Sequence, residues 1–212
     1  MTNVKYGKLT GGLISAWFSF SLVASALHVF RNDSARPPLA LGLAVLIPVA
    51  AFAIWFATST GFRQFTLSLN PRTLTLVQAW RTGGFLFLVL QTYAILPGLF
   101  ALPAGWGDIT IGATAILVAA KLVNPDHRKG FILWQLLGIS DLVVAVTMGT
   151  MAGLISPNGI PTAPMTVLPL SLIPTFAVPL FTILHIICIA QARRWPTQER
   201  SRVEGKLASS HA

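Results

Sequence analysis

"FILWQLLGISDLVVAVTMGTMAGLI", residues 131–155, carries a single charged side chain, Asp141, in a run long enough to cross a bilayer. A helix rises about 1.5 Å per residue, so about 20 predominantly apolar residues span a hydrocarbon core of roughly 30 Å. Five more runs of this kind can be drawn, over 9–30, 39–58, 74–97 (reaching 101 at most), 106–123 and 167–190. The links between them are short and polar or rich in proline and glycine: "RNDSARPP", "TGFRQFTLSLNPRT", "LPGLFALPAG", "NPDHRKG" and "SPNGIPTAPM".

Composition agrees with that reading. The 212 residues are 54% hydrophobic and 10% charged, with a mean hydropathy of +0.70. Soluble domains carry about 25% charged residues. The alternation of a membrane β-barrel is absent. The expected fold is an all-α, polytopic six-transmembrane-helix bundle forming one domain over 1–192. Residues 193–212 make a basic tail, expected to be disordered or to lie on anionic lipid.

The formal charge of +9 does not form one stripe. The basic residues cluster at the ends of apolar runs, which points to the lipid bilayer as partner and argues against nucleic acid. With both termini cytoplasmic, only Arg31 and Arg36 of the 15 Lys and Arg residues fall in outer links. Arg81 sits near the inner end of the third span. The rest lie on the cytoplasmic side, as the positive-inside rule requires of an even number of spans. Lys5, Lys8 and "ASA" at Ala24–Ala26 also fit a cleaved signal peptide, a second reading of the first span.

Asp141 has a counterpart. "GWGDITIGAT" from Gly105 and "GISDLVVAVT" from Gly138 share glycine, a small residue, Asp, aliphatics and Thr at matching places. The match is too short to establish duplication, but helical spacing is informative. Asp108, Gly112, Ala115 and Ala119 share one face of their span; Asp141, Ala145, Gly149 and Gly153 share one face of theirs. Small residues mark close helix packing in lipid, so each Asp is expected to face protein. The Gly149/Gly153 pair also offers a GxxxG face for a homo- or hetero-oligomer.

Depth sorts the polar residues into two groups. Asp141 lies roughly 15 Å into its span, with Arg81 and His185 as partners from the inner side. Asp108 falls near the outer start of its span, with His28 and Gln91 near the same surface. Each has a plainer reading. Arg81 snorkels to the interface, Asp108 caps a helix, His28 is solvated, and His185 makes one interhelical hydrogen bond. Pro169, Pro174 and Pro179 interrupt the sixth span, and the backbone groups they free need protein or water partners. Such helices line cavities.

No cofactor is identifiable. Cys188 is the sole cysteine, so there is neither an internal disulfide nor a Cys-pair metal site. P-loop, H-E-x-x-H, G-x-S-x-G and dinucleotide signatures are absent. His28 and His185 at opposite depths make poor paired haem ligands, and nothing supports a single-His haem.

"RTGGFLF", "LPGLFALPAGWGD", "LGISDLVVAV" and "VPLFTILH" resemble a group of small polytopic bacterial inner-membrane proteins. The resemblance covers the third to sixth spans, about half the chain. It implies a bacterial cytoplasmic-membrane setting and carries no activity. Arg81, Asp108, Asp141 and His185 match the group's polar pattern. The expected function is transport of a small solute or ion, proton-coupled through Asp141, with Arg81 and His185 as tuning partners and Asp108 with His28 at the outer mouth. The alternatives are an intramembrane enzyme acting on a lipid or isoprenoid-like substrate and a non-catalytic subunit of a membrane complex.

Overall fold

The computed structural model describes residues 2–32, 38–156 and 158–196. Among them every regular element is helical: α1 (Thr2–Ala26), α2 (Leu39–Thr58), α3 (Thr60–Ser68), α4 (Pro71–Val77), α5 (Phe85–Thr92), α6 (Gly98–Lys121), α7 (Arg128–Ile155) and α8 (Val178–Ala192). A 3₁₀ segment, Gln78–Gly84, joins α4 to α5, and a π-type turn, Ile173–Ala177, leads into α8. Six helices are long and apolar enough to cross a membrane, α4 to α5 counting as one and the π turn with α8 as another. Their outer surface is apolar: Leu46, Ile54, Trp80 and Leu133 are all exposed. A soluble monomer rarely leaves so continuous an apolar surface uncovered, and the organisation is that of a multi-pass membrane protein.

Local signals set the boundaries. Ser59 accepts a hydrogen bond from the Phe62 amide (3.3 Å) and opens α3. Asn70 accepts from the Arg72 amide (2.9 Å), and Pro71 follows it into α4. Asn124 accepts from the His127 amide (3.0 Å) at the turn into α7. These side chains satisfy amides that helix starts leave free.

The two ends of the bundle are chemically distinct. At one end Tyr6 of α1 stacks on Phe65 of α3, Gln191 donates to the Leu69 carbonyl (2.7 Å) and Arg128 donates to the Arg193 carbonyl (3.2 Å). Lys5, Arg63, Arg72, Lys121, Arg128 and Arg193 therefore gather there. At the opposite end the Asn32 amide donates to Thr166 Oγ1 (3.1 Å), and Leu96 and Phe100 pack with Met165 and Leu170. Arg36 and the tail from residue 197 onward lie outside the described residues.

Several expected boundaries change. The second span matches its expected limits, but the first helix ends at Ala26 rather than at residue 30. His28 takes a left-handed conformation (φ 59°), with its amide on Ser25 O (3.0 Å) and the Val29 amide on Ala24 O (2.9 Å). Ala94 (φ 55°) ends α5 in the same way, short of residue 97. This closure usually uses glycine, and its absence hid both stops. The fourth span starts at Gly98, not near 106. Pro97 is its N-cap and Pro103 lies inside it, so "LPGLFALPAG" is mostly helix and not a turn. The sixth is not helical from 167. Its helix is regular only from Val178, and Pro179, which has no N–H to give to the residue four before it, leaves the Thr175 carbonyl free to accept from Trp17 Nε1 (3.1 Å) and Ser21 Oγ (3.3 Å).

Candidate functional site

Arg81 lies on the 3₁₀ segment and is almost completely buried, 2% exposed. Its Nε donates to Asp108 Oδ1 of α6 at 2.7 Å. Its Nη2 pairs with Asp141 Oδ2 of α7. Its Nη1 donates to the Gly138 carbonyl (3.2 Å) and lies 3.2 Å from His185 Nε2 of α8. One guanidinium therefore ties four spans together near mid-height. The carboxylates are not sealed, their side chains being 16% and 13% exposed.

The donor inventory fixes the histidine. A guanidinium only donates, so His185 Nε2 must accept and the ring proton lies on Nδ1. Nδ1 then donates to Gln135 Oε1. The Gln135 amide nitrogen donates to Thr75 Oγ1 (3.4 Å), whose hydroxyl donates to the Pro71 carbonyl (2.8 Å). A directed chain of hydrogen bonds runs from Arg81, whose other N–H groups hold the carboxylates, to the start of α4, near the basic end. His185, Gln135 and Thr75 are fully buried. Trp134 packs against the imidazole with ring planes inclined at 60° and centroids 5.7 Å apart.

Glycine makes the convergence possible. A Cβ on Gly107 would fall on the Asp141 carboxylate, and one on Gly138 would fall on the His185 ring. A Cβ on Gly84 would meet Asp108, and one on Gly112 would meet the Thr82 backbone. The expected small-residue face of α6 is thus the face that packs on the 3₁₀ segment, with Gly112, Ala115 and Ala119 all buried. On α7, Gly149 packs against the Phe100 ring.

Asp108 also borders a cavity of about 70 Å³. Its walls come from α2, α7, the 162–166 turn and the π turn, with Leu41, Phe87, Phe100 and Leu142 among its apolar lining. It lies on the side of the Arg81 cluster away from the basic end. Ile173, Pro174 and Val178 line it too, so the proline-interrupted span does border a cavity.

The structure regroups the residues singled out in the sequence. Arg81, Asp108, Asp141 and His185 form one cluster rather than two groups at different depths. Asp108 is not a helix cap: α6 begins at Gly98, which puts Asp108 near the middle of its 24 residues. Arg81 does not snorkel, and His185 uses both ring nitrogens. His28 is exposed at the end of α1, and Gln91 lies beside Gly98 at the α5–α6 turn. Neither bonds to the cluster among the described residues. Gln135 and Thr75 were missed. Gln135 had a signal, a lone amide in the apolar "WQLLG"; Thr75 in "RTLTL" had none. Among the described residues no three His, Cys, Asp or Glu side chains gather as a metal-ligand set.

An all-helical, multi-pass chain with a buried Arg–Asp–Asp–His cluster beside an apolar cavity is the class these features define. The chain belongs to the family described as "Domain of unknown function (DUF8737)", whose model matches residues 15–193. That range contains the whole cluster. No curated protein and no solved structure matches the chain.

Proposed function

We propose that the protein is a carrier of a small solute or ion in the bacterial cytoplasmic membrane, coupled to protons through Asp141 with Asp108. The basic end then faces the cytoplasm with both termini, as the positive-inside rule favours, and the cavity lies on the outer side of the cluster. One observation carries the reading: a single guanidinium serves two incompletely sealed carboxylates beside a cavity, at mid-height in an apolar bundle. With both carboxylates ionised the set has one negative charge in excess, and isolated charge is expensive in a low-dielectric interior. A proton neutralises it, and its departure restores the charge. Ionisable groups in such positions mark proton and substrate pathways.

The test uses proteoliposomes holding a lumenal pH-sensitive dye under an imposed pH gradient. They are challenged in turn with amines, carboxylates, amino acids, sugars and monovalent salts. At least one solute class should dissipate the gradient with wild-type protein and fail to do so with Asp141→Asn. Solute-driven proton movement that survives Asp141→Asn removes Asp141 from the mechanism. A flat response across the panel refutes the carrier reading.

A further inference from the structure

We infer that the cavity beside Asp108 binds a small lipophilic cation, an alkylammonium of a few heavy atoms, which exchanges with a proton at the Asp108–Asp141 pair. The inference rests on the carrier reading and names its substrate class.

Anions find little to bind here. Arg81 spends Nε on Asp108, Nη1 on Gly138 and His185, and Nη2 on Asp141. One Nη2 hydrogen is left over, and the rest of what remains is acceptor capacity. No hydrogen bond from a described residue reaches Asp108 Oδ2 or Asp141 Oδ1. Thr150 and Thr162 also line the cavity. Each hydroxyl gives its proton to a backbone carbonyl, Thr147 O at 2.9 Å and Gly149 O at 3.0 Å, and so has only lone pairs left to offer. An ammonium group has three donors and no acceptor.

The remaining lining selects among cations. A hard metal ion takes about six oxygen ligands, and this lining is mostly hydrocarbon. Phe87 and Phe100, with ring centroids 5.2 Å apart, add aromatic surface that attracts organic cations. A cavity of about 70 Å³ suits a short alkyl chain rather than a drug-sized molecule. Charge balance sets the exchange: the pair is neutralised by one proton or by one monovalent cation, so a cation entering displaces one proton to solvent.

The test is calorimetric titration of the full chain in nanodiscs with propylammonium chloride. It is run at one pH in two buffers of different ionisation enthalpy, with empty nanodiscs as the blank. Saturable binding with about one proton released per cation is expected from that charge balance. Asp108→Asn should weaken binding at least about tenfold. Val45→Phe, which narrows the cavity from α2 and leaves every residue of the cluster in place, should also abolish binding. Absence of saturable binding, binding without proton release, or equal binding of 1-propanol or propionate overturns the inference. Propylammonium binding with proton release but no solute-driven proton flux keeps the site and removes the carrier. Flux driven by other solutes without propylammonium binding keeps the carrier and removes this site.

Discussion

Replacing Arg81 by Leu tests whether the cluster is one electrostatic unit. The guanidinium makes four hydrogen bonds, to Asp108, Asp141, Gly138 and His185. Interhelical hydrogen bonds in membranes contribute about 0.6 kcal/mol on average and about 1.7 at most, so four bracket about 2–7 kcal/mol. Removing one partner of a buried ion pair costs about 3–5 kcal/mol, because the remaining charge is stranded. Arg81→Leu strands two carboxylates, and a loss of about 3–5 kcal/mol is expected. The decisive measurement is a rescue. Adding Asp108→Asn and Asp141→Asn to Arg81→Leu removes both stranded charges and should recover about 2 kcal/mol or more. Reversible SDS unfolding in mixed micelles, followed by tryptophan fluorescence, reads both values. An Arg81→Leu loss below about 1 kcal/mol, or a triple variant no more stable than the single one, would refute this account of the cluster.

Further substitutions follow from the packing and can be read by the same unfolding measurement. Gly138→Ala places a methyl group on the His185 ring and should cost about 1–3 kcal/mol as an overpacked site. Gly83→Ala, with open space at its Cβ, should be near neutral. Gln135→Leu leaves the His185 Nδ1 proton without its acceptor and should cost about 1–3 kcal/mol. Trp17→Phe and Ser21→Ala each leave the Thr175 carbonyl one donor and should cost under about 1 kcal/mol. Together they leave it none, so the double variant should lose more than the sum of the singles.

Hydropathy made the number of spans legible, because a bilayer thickness converts directly into residue count. The ends were less legible where closure did not use glycine. His28 and Ala94 adopt left-handed backbone that nothing in "ALHVF" or "TYAIL" announces. The misplaced start of α6 had a larger consequence. Reading Pro97 to Pro103 as a turn put Asp108 at a surface, and with it His28 and Gln91 into an outer group. The helical face of Asp108 was still read correctly, since that face depends only on three- and four-residue spacing. Its depth depends on where the helix begins. Gln135 was not legible as a partner because an uncharged amide, unlike Asp141, demands no counter-charge and can be satisfied by any nearby donor and acceptor. Pro179 announces a freed carbonyl four residues back, at Thr175, but only the folded chain brings Trp17 and Ser21 to it.

The two Gly–Asp stretches gain a physical reason from the structure. α6 and α7 run in opposite directions, and each carries its Asp near its midpoint, so the acids arrive at the same height. Two carboxylates can meet one guanidinium there only if the helices approach more closely than ordinary side chains allow. Gly107, beside Asp108, makes room for Asp141. Gly138, ahead of Asp141, makes room for His185 and lends Arg81 its carbonyl. The glycine in each stretch therefore accommodates a group from another helix, not its own acid. That arrangement needs no gene duplication to explain it, because helices that bring side chains to a shared cation at mid-depth meet the same steric condition wherever they cross. It also makes the cluster an all-or-none assembly, since filling one of these glycines displaces a group that Arg81 needs.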